Sequence, residues 1–580
     1  MKAIAEIGLD SESGLIICKP QSRENRRDVV ALLRGLNGGS RYSVDGDHFN
    51  LDVTIAVAIR EAKDEIAFGW TKEAANFVDR FAEGYATRGL ARRRLLELPD
   101  YSIANAVLKD YALSTNLDPH QCIAVAAMSD PLITDLCLFD EQGSGKTVMT
   151  IHAFDRLVEN GIVKSMLVFA PKNMLNTWKS DFQQFMGEKY RVEIISGTKK
   201  EKFVNLIAPA DIYVTNYETA QSMESSLRSL LLRNAGRIIL TVDESFFVKN
   251  SKAERSSAIR RLRNFCERCW VLCGTPAPNH AIDVVHQFDI ADCGVTFAGI
   301  TLPKDPEATR QIIKRVVETR GLYLRRLKKD VLPGIPNKNF ESISVPMEPI
   351  QRGLYEETLT GLVDDVVAAD ERGFRELFQS FLARRMALLQ ISSNPQLVFP
   401  DYQEIPGKHI ALDELLQELI IVRKEKVVLW SYFRSSLDKL EEKYREYGSV
   451  RLDGSITSNE VRRNAIDRFQ RDPDTMLFIA NPAAAGAGIT LTAARIAVYE
   501  SFPIQTAHFL QSIDRIHRRG QDREAHYYFL LAQETLEELE YERLLEKERH
   551  GFELFGDPQP DTTTREYFLR ELQQALSLLK

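Results

Sequence analysis

The sequence predicts an α/β protein that contains two parallel-sheet lobes. Strand-like apolar runs alternate with segments of helical periodicity over two long stretches, and each run is followed by a polar or glycine-containing turn. Such alternation is typical of parallel sheets, whose ligands bind at the carboxyl ends of the strands. The runs of the first lobe, residues 101–340, are LCLF, MLVFA, IYVTN, IILTVD and WVLCG, and those of the second lobe, residues 341–580, are VVLWSY, VRLDG, MLFIAN and IAVYES.

Three further segments complete the predicted architecture. We expect residues 1–100 to form a small α+β accessory domain. The segment VLPGIPNKN, residues 331–339, is predicted to be a hinge between the lobes because its prolines and glycine cannot continue a helix. The last stretch, REYFLRELQQALSLLK, has apolar residues at helical spacing and is predicted to be a helical brace packed on the second lobe.

Composition and hydropathy restrict the class of protein. With 44% hydrophobic and 27% charged residues, the 580-residue chain is typical of a protein with several globular domains. It has no run of 18 apolar residues, and acidic residues interrupt the start MKAIAEIGLDSESG, so we expect a cytoplasmic protein that does not bind membranes. The seven cysteines are scattered, and Cys266 and Cys269 are expected to be buried thiols rather than zinc ligands.

The net charge of −7 is not that of a basic nucleic-acid-binding domain. Local basic clusters are nevertheless present, and a protein that contacts few phosphates at once needs only a stripe of positive charge. The clusters are residues 92–94, 260–263, 325–329 and 515–523.

The segment DEQGSGKTVMT indicates a phosphate-binding loop. It follows a strand-like run and precedes a helical one, which is the context that such a loop requires. Gly143, Ser144 and Gly145 are expected to let main-chain N–H groups approach phosphate oxygens. Lys146 is expected to neutralise phosphate charge, and Thr147 to bind Mg²⁺. The sequence therefore predicts a site for ATP.

An acid pair, Asp243 and Glu244, follows the strand-like run RIILTV. Carboxylates at the end of a strand are suited to holding Mg²⁺ and to orienting and deprotonating a water molecule. Asp243 is predicted to bind the metal and Glu244 to act on the water. The position of the pair, at least one strand-helix-strand interval after Lys146, is what favours this interpretation.

The second lobe carries the basic motif QSIDRIHRRGQDR. Phosphoryl transfer spreads negative charge over the equatorial oxygens, and an arginine that enters from another lobe can stabilise that charge. Arg515 and Arg518 are the candidates, and their spacing predicts that they share one helix face. Gln511 of the same motif is a candidate nucleotide contact.

These motifs, in their order along the chain and in their combination, resemble those of the Swi/Snf-like family of superfamily-two helicase ATPases. The resemblance covers about residues 115–530. Further segments similar to motifs of that family are LDPHQ, VFAPKNMLNTWKSDFQQF, VTNYET, CGTPAPN, LYLRRLKKDV, RMALLQISSNPQL, VVLWSYFRSSLDKLEEKY, RLDGSITSNEVRRNAIDRFQ and ANPAAAGAGITLTAARIAVYESFPIQ.

The resemblance implies two RecA-like lobes that close on ATP and Mg²⁺ and that step along nucleic acid, with double-stranded or forked DNA as the expected partner. On DNA the protein would be nucleoid-associated. The resemblance identifies Gln121 as the residue that reads adenine. The residues implied in coupling or in nucleic-acid contact are Thr215, Gly274, Thr275, Gly454, Gly486 and Gly488.

Several details resemble one subgroup of that family, the HepA-related (HARP-type) annealing helicases. They are the segments DESF, GTPA and AAAGAGITLTAA, the last followed by Glu500. The N-terminal stretch GLIICKPQSRENRRDVVALLRGLNGGSRYSVDGDHFNL is similar to the small substrate-recognition module of that subgroup, with Phe49 where its tryptophan is expected.

The chain departs from the family pattern at three places. Asp140 stands where the strict phosphate-loop motif has glycine. Phe246 replaces the histidine or glutamine that normally links the acid-pair motif to the GTP motif, so coupling between hydrolysis and movement is expected to be altered, because an aromatic ring cannot make that polar contact. Asn481 and Pro482 stand where a Ser-Thr pair is commoner, which weakens the prediction of a backbone phosphate contact there.

The residues leave other functions open. The same motifs fit an RNA helicase, or the motor subunit of a restriction or antiviral assembly with protein partners in a repair or defence complex. A third hypothesis is a nucleic-acid-binding scaffold whose ATPase is silent. The segments LRRLKKDV and HRRGQ favour the DNA translocase. The residues that argue against silence are Lys146, Thr147, Asp243, Glu244, Arg515 and Arg518.

Overall fold

The computed structural model divides into two compact units, Met1–Leu327 and Lys328–Lys580. Among the described helices, none combines the length and the apolar character that crossing a bilayer requires. The structure describes residues 3–9, 16–37, 42–51, 53–61, 68–234, 236–277, 281–303, 305–332, 334–456, 458–485, 489–503, 505–550 and 564–579.

The described strands form three sheets, one near the N-terminus and one in each lobe. The N-terminal sheet contains β1 (Ala5–Leu9), β2 (Ile16–Pro20), β3 (Tyr42–Asp45), β4 (His48–Leu51) and β5 (Phe68–Trp70). The sheet of the first lobe contains β6 (Asp135–Leu138), β7 (Ser165–Phe169), β8 (Val192–Ile195), β9 (Ile212–Thr215), β10 (Ile238–Asp243), β11 (Arg268–Leu272) and β12 (Tyr323–Leu324). The sheet of the second lobe contains β13 (Lys338–Val345), β14 (Val427–Trp430), β15 (Val450–Leu452), β16 (Leu477–Ala480), β17 (Ile496–Tyr499) and β18 (Ala525–Ala532).

Helices connect these strands. Those of the first unit are α1 (Arg23–Asn37), α2 (Val53–Glu61), α3 (Lys72–Glu97), α4 (Tyr101–Val107), α5 (Pro119–Ser129), α6 (Lys146–Glu159), α7 (Leu175–Met186), α8 (Lys199–Ile207), α9 (Tyr217–Ser222), α10 (Glu224–Arg233), α11 (Glu254–Arg263), α12 (Ile282–Asp292) and α13 (Pro306–Arg320). Those of the second unit are α14 (Lys328–Val331), α15 (Pro349–Ala368), α16 (Glu371–Ser393), α17 (Gly407–Leu416), α18 (Arg434–Lys443), α19 (Asn459–Arg471), α20 (Pro482–Ala485), α21 (Thr506–Ile513), α22 (Leu536–His550) and α23 (Arg565–Leu578).

The N-terminal sheet is mixed, and with its helices it forms the predicted α+β region. Its strand order is β3-β4-β2-β1-β5, with β1 parallel to β5 and antiparallel to β2. Phe49 is buried in the core of this region, and its ring meets that of Tyr42 edge-on at a centroid distance of 5.7 Å.

Helix α3 joins this region to the first lobe. Arg88 of α3 is buried, and its guanidinium nitrogens lie 2.6 Å from the carboxylate of Asp135 and 2.8 Å from that of Asp292. Its Nε also donates to the carbonyl of Arg320 at 3.1 Å. A buried arginine shared by two carboxylates is costly to disrupt, so α3 is part of the packing of the first lobe.

The sheet of the first lobe is parallel throughout, with the order β12-β6-β11-β10-β7-β9-β8. Strands β6 and β10 flank β11. The loop after β6 and the acid pair at the end of β10 therefore meet at the carboxyl edge, where parallel sheets bind ligands. Cys266 and Cys269 are buried thiols, as predicted, and burial raises the pKa of Cys269.

The sheet of the second lobe is also parallel, with the order β13-β18-β17-β14-β16-β15. Helix α23 packs through Phe568 and Leu572 into a core that it shares with α15 and α16. The guanidinium of Arg385 in α16 donates to the carboxylate of Glu571 in α23 at 2.8 and 2.9 Å. The last helix is thus the predicted brace.

Each strand predicted in the two lobes is present, but the prediction omitted β8, β12, β13 and β18. Strand β12 has two residues, and the side chains of β13 are mostly half-buried or exposed, so neither has a recognisable apolar run. The buried run of β18 could have been found. The segment 331–339 predicted as a hinge overlaps the start of β13, and the predicted boundary at 340 lies inside that strand.

Candidate active site

The loop between β6 and α6 has the geometry of a phosphate-binding loop. Gly143 and Gly145 have φ values of 82° and 90°, a region that favours glycine. Gly145 directly precedes α6, whose first-turn N–H groups have no partner within the helix. The Nζ of Lys146 donates to the carbonyls of Asp140 at 2.8 Å and Glu141 at 3.3 Å, so the ammonium lies against the loop backbone.

Two residues of α5 support this loop. A Cβ at position 145 would lie 2.4 Å from Nε2 of Gln121, so glycine at this position lets that side chain lie against the loop. The Oε1 of Gln121 accepts a hydrogen bond from the N–H of Asp118 at 3.0 Å. His120 donates through Nε2 to the carbonyl of Ser144 at 2.9 Å, and burial lowers the pKa of His120, which keeps its ring neutral.

Asp140 has a partner that explains why glycine is absent there. Its buried carboxylate forms an ion pair with Arg326, whose Nε lies 3.0 Å from Oδ1 and whose Nη2 contacts Oδ2. Arg326 also donates to the carbonyl of His120 at 2.5 Å. The neighbouring Arg325 donates to the carbonyl of Gly274 at 2.9 Å. The two arginines of LRRLKKDV therefore join the loop, α5 and the GTP motif.

The acid pair is buried, with Asp243 4% and Glu244 6% exposed. Trp178 of α7 donates through Nε1 to Oδ2 of Asp243 at 2.9 Å. Gln142 of the loop donates through Nε2 to Oε1 of Glu244 at 2.9 Å. The hydroxyl of Tyr217 donates to the backbone carbonyls of both acids. Oε2 of Glu244 is buried and has no hydrogen-bond partner among the described residues.

The backbone and the charges of the pair are both unusual. Glu244 has φ 52° and ψ 52°, a left-handed conformation that a non-glycine residue keeps only where its surroundings fix it. Burial, followed by repulsion from Glu244, raises the pKa of the Asp243 carboxyl. The hydrogen bond from Trp178 and attraction by Lys146 oppose that rise. Two carboxylates in such a pocket favour a bound cation.

These residues fit Mg²⁺. Magnesium at nucleotide sites is usually held by one or two carboxylates and by the phosphates of the substrate. Asp243 and the hydroxyl of Thr147 at the start of α6 are donors of that kind. In the described part of the chain, no group of three or more His, Cys, Asp and Glu side chains could hold a metal.

The GTP motif lies beside the loop and the acid pair. A Cβ at position 274 would lie 2.5 Å from Cγ of Gln142, so Gly274 makes room for the side chain that reaches Glu244. Thr275 next to it is 9% exposed. The Phe246 ring is partly exposed and stacks on that of Phe247 at a centroid distance of 4.3 Å.

In the second unit, Arg515 and Arg518 lie in a turn. Helix α21 ends at Ile513, so the prediction that the two arginines share a helix face is wrong. Helix α21 does not continue through the turn because carbonyls of the turn accept hydrogen bonds from groups outside the helix. The Leu491 N–H donates to the carbonyl of Arg515 at 3.0 Å, and the Nζ of Lys328 donates to that of His517 at 3.1 Å.

The two guanidinium groups still converge. Each donates through Nη1 to the carbonyl of Ile489 at 3.1 Å. Arg515 is 5% exposed and also donates through Nε to the carbonyl of Gln511, whose side chain is buried in α21. Arg518 is more exposed than Arg515. We name this segment, residues 514–519, the arginine turn.

The candidates for nucleic-acid contact have different surroundings. Thr215 is fully buried, and its hydroxyl donates to the carbonyl of Ile195 at 2.9 Å. Gly454 lies in an exposed turn after β15, with open space where a side chain would project. Gly486 and Gly488 lie outside the described residues.

Other polar residues of the second lobe support its strand ends. The amide of Asn481 donates to the carbonyl of Tyr432 at 2.6 Å and accepts from the N–H of Ala483 at 2.9 Å. Glu500 is fully buried and accepts hydrogen bonds from the hydroxyls of Ser431 at 2.8 Å and Ser501 at 2.7 Å.

Sequence reasoning missed the side chains that support the predicted ones. Each stands inside a motif recognised in the sequence, but its partner is far away along the chain. They are Gln142, Trp178, Tyr217, Arg325 and Arg326.

Two domain families match the chain. The SNF2-related domain matches residues 120–397, and the helicase conserved C-terminal domain matches residues 409–520. Together these stretches make up more than half of the chain. They begin at residue 120, so the HARP-type resemblance of the N-terminal stretch stays a prediction.

Curated relatives are similar over the same part of the chain. A putative ATP-dependent helicase/translocase of Bacillus subtilis is 27% identical over 422 residues, which are 69% of this chain and 44% of the relative. A probable chromatin-remodeling complex ATPase chain of Oryza sativa is 29% identical over 437 residues, which are 71% of this chain and 38% of the relative. The chain thus spans less than half the length of these relatives.

A solved structure is similar as well. The SWI2/SNF2 ATPase core of Sulfolobus solfataricus in complex with dsDNA aligns over 80% of this chain and 97% of that chain, with 23% identity and a TM-score of 0.35.

The matched stretches contain the site described above. The SNF2-related domain includes the phosphate loop, the acid pair and the GTP motif, and the helicase C-terminal domain includes the arginine turn. Two parallel-sheet lobes carry these domains. The chain belongs to the Swi/Snf-like family of superfamily-two helicases.

Proposed function

We propose that this protein is a motor that hydrolyses ATP and uses the energy to move along double-stranded DNA. The observation that carries the proposal is the acid pair, which is buried at the end of β10 next to Lys146 and has one free carboxylate oxygen among the described residues. Family membership adds the expectation of an ATP-dependent enzyme, because the named relatives are ATP-dependent helicases and ATPases.

The phosphate loop binds the triphosphate in this account. The N–H groups at the start of α6 bind phosphate oxygens, and Lys146 leaves the carbonyls of Asp140 and Glu141 to neutralise phosphate charge. Gln121 lies against Gly145, and we propose that it contacts the nucleotide beside the loop. Ser144, whose buried hydroxyl has no partner among the described residues, is a further donor.

The two residues of the acid pair have different roles in hydrolysis. Asp243 and Thr147 would hold Mg²⁺, which when bound neutralises charge on the phosphates. Trp178 keeps Asp243 in one orientation through its hydrogen bond to Oδ2. Oε1 of Glu244 is held by Gln142, which leaves Oε2 to accept a proton from the attacking water. The products are ADP and inorganic phosphate.

Arg515 and Arg518 supply positive charge from the second unit. We propose that they exchange the carbonyl of Ile489 for phosphate oxygens when the protein closes on ATP. Closure and reopening then drive movement, because the arginines favour the closed state only while the phosphates are present.

The nucleic acid along which the protein is proposed to move is duplex DNA, including forked DNA. Contacts are made to backbone phosphates and carry little sequence information. The proposed contacts are the segments near Thr215, Gly454 and residues 486–488. Since the hydroxyl of Thr215 is already bound to Ile195, we assign the contact there to the adjoining backbone.

The test is ATP hydrolysis by the full chain with no nucleic acid, single-stranded DNA, duplex DNA, forked DNA or RNA at one salt concentration. We expect strong stimulation by duplex or forked DNA, and loss of turnover in Lys146→Ala and Glu244→Gln. The exposed Glu446 provides the control, because Glu446→Gln should behave as wild type. If RNA alone stimulated ATP hydrolysis, RNA and not DNA would be the nucleic acid along which the protein moves. Absence of ATP hydrolysis under all conditions would contradict the proposal that the protein is an ATPase.

A further inference from the structure

The side chain of Gln287 in α12 connects the acid pair to the GTP motif. Its Oε1 accepts a hydrogen bond from the hydroxyl of Ser245 at 2.5 Å. Its Nε2 donates to the carbonyl of Pro276 at 2.6 Å and to that of Asp283 at 2.8 Å. Ser245 directly follows Glu244, and Pro276 is the last residue of the Gly-Thr-Pro triplet.

The connection is entirely inside the protein. Gln287 and Ser245 are both fully buried. Inside a protein these hydrogen bonds are directional and have no water to replace them, so removing one partner leaves the other unsatisfied. A shift of the carbonyl of Pro276 therefore acts on Ser245 through one rigid amide.

Cys273 directly precedes Gly274 of the GTP motif and is buried beside the backbone of Phe246. Burial raises the pKa of the thiol to about 12, so the group stays neutral.

We propose that Gln287 is a positioning residue that transmits the conformation of the GTP motif to Glu244. This inference rests on the proposed function and deepens it, because it names the polar link between the acid-pair motif and the GTP motif that the Phe246 side chain cannot form. Glu244 is the point on which the link acts. Its left-handed backbone adjoins Ser245, so a small rotation there turns the carboxylate that is proposed to meet the water.

The experiment compares the full-length wild type with Gln287→Leu, Ser245→Ala and the double variant. The readouts are kcat for ATP hydrolysis without and with saturating duplex DNA, the KM for ATP, and the Tm. We expect stimulation by DNA to fall about tenfold in Gln287→Leu, within the usual range of coupling between sites, while the KM for ATP changes less than about twofold. The double variant should resemble Gln287→Leu, because both changes remove the same hydrogen bond.

Gln351 offers a matched control. It is a buried glutamine of the second unit whose Nε2 donates to the carbonyl of Ile391 at 2.7 Å and whose Oε1 accepts from the N–H of Gly407 at 3.2 Å. Gln351→Leu should lower the Tm as Gln287→Leu does and leave the stimulation factor unchanged.

The outcomes separate the inference from the proposed function. A wild type that is not stimulated by DNA would overturn the proposed function and the inference with it. A stimulated wild type together with equal losses of basal and stimulated turnover in Gln287→Leu would overturn the inference alone. Additive effects of the two single changes would also contradict it.

Discussion

The acid pair of the first unit and the arginine turn of the second are supported in different ways. Each carboxylate of the acid pair receives a hydrogen bond from a different element, Trp178 of α7 and Gln142 of the phosphate loop. The two arginines donate to one shared backbone oxygen, the carbonyl of Ile489.

This difference indicates which groups are preorganised and which must move. Fixed donors around a reacting group stabilise charge without reorganisation during the reaction, which is the usual origin of large catalytic effects. A guanidinium bound to a carbonyl gives up that bond before it reaches a phosphate. We therefore expect the first unit to fix the geometry of the hydrolytic groups. We expect the movement of the arginine turn to control when hydrolysis occurs.

The largest expected effect is at Arg518. Because it is the more exposed of the two arginines, we expect Arg518→Ala to lower kcat about 1,000-fold or more, as for other arginines that stabilise phosphoryl transfer. Arg515→Ala should lower the Tm as well, since Arg515 is buried and also bonded to Gln511. Steady-state ATP hydrolysis with duplex DNA measures the change in kcat, and thermal melts measure the change in Tm. Equal Tm losses in the two variants would contradict the assignment.

Asp140→Gly tests whether the first unit is preorganised by its ion pairs. The change restores the strict motif but leaves the partly buried guanidinium of Arg326 without its carboxylate, and breaking a buried pair in this way costs up to about 3–5 kcal/mol. We expect faster hydrogen exchange in α5 and in the loop after β6. The double variant Asp140→Gly with Arg326→Met should recover much of the protection. Unchanged exchange in the single variant would show that the pair does not hold the loop.

Arg88→Met tests whether a buried ion pair also holds α3 to the first lobe. Removing the guanidinium leaves the buried carboxylates of Asp135 and Asp292 together, and we expect local stability of α3 and β6 to fall by about 3–5 kcal/mol. Arg60 is the control, because its pair with Asp79 is partly exposed and worth less than about 1 kcal/mol. Hydrogen exchange measures both. A similar loss in Arg60→Met would mean that α3 is not specially bound to the first lobe.

The smallest effect is expected at Trp178. Trp178→Phe removes one hydrogen bond to a charged group, worth about 1.5–3 kcal/mol, so kcat should fall roughly tenfold and a higher Mg²⁺ concentration should be needed. Trp270 is the matched control, since its buried Nε1 has no partner among the described residues. A Mg²⁺ dependence that shifts equally in Trp270→Phe would contradict a specific role for Trp178.

The sequence predicts most strands of the two lobe sheets and the candidate site residues because both depend on local patterns. Apolar runs identify β6 and β10, and turn glycines identify the phosphate loop. Short or edge strands such as β12 and β13 lack such a pattern.

Long-range partners could not be predicted. Asp140 and Arg326 are 186 residues apart, and no local pattern joins them. The end of α21 before Arg515 was missed because it depends on donors from elsewhere in the fold, the N–H of Leu491 and the Nζ of Lys328. The link through Gln287 was missed for the same reason, since the residue stands outside the motifs recognised in the sequence.

Displacement of a third strand from a DNA triplex tests the central claim most directly. A motor that moves along a duplex removes a bound third strand only while it hydrolyses ATP. We expect the wild type to displace the strand with ATP and not with ADP, and Glu244→Gln to fail while still binding ATP. ATP hydrolysis stimulated by duplex DNA without any displacement of the third strand would contradict movement along DNA.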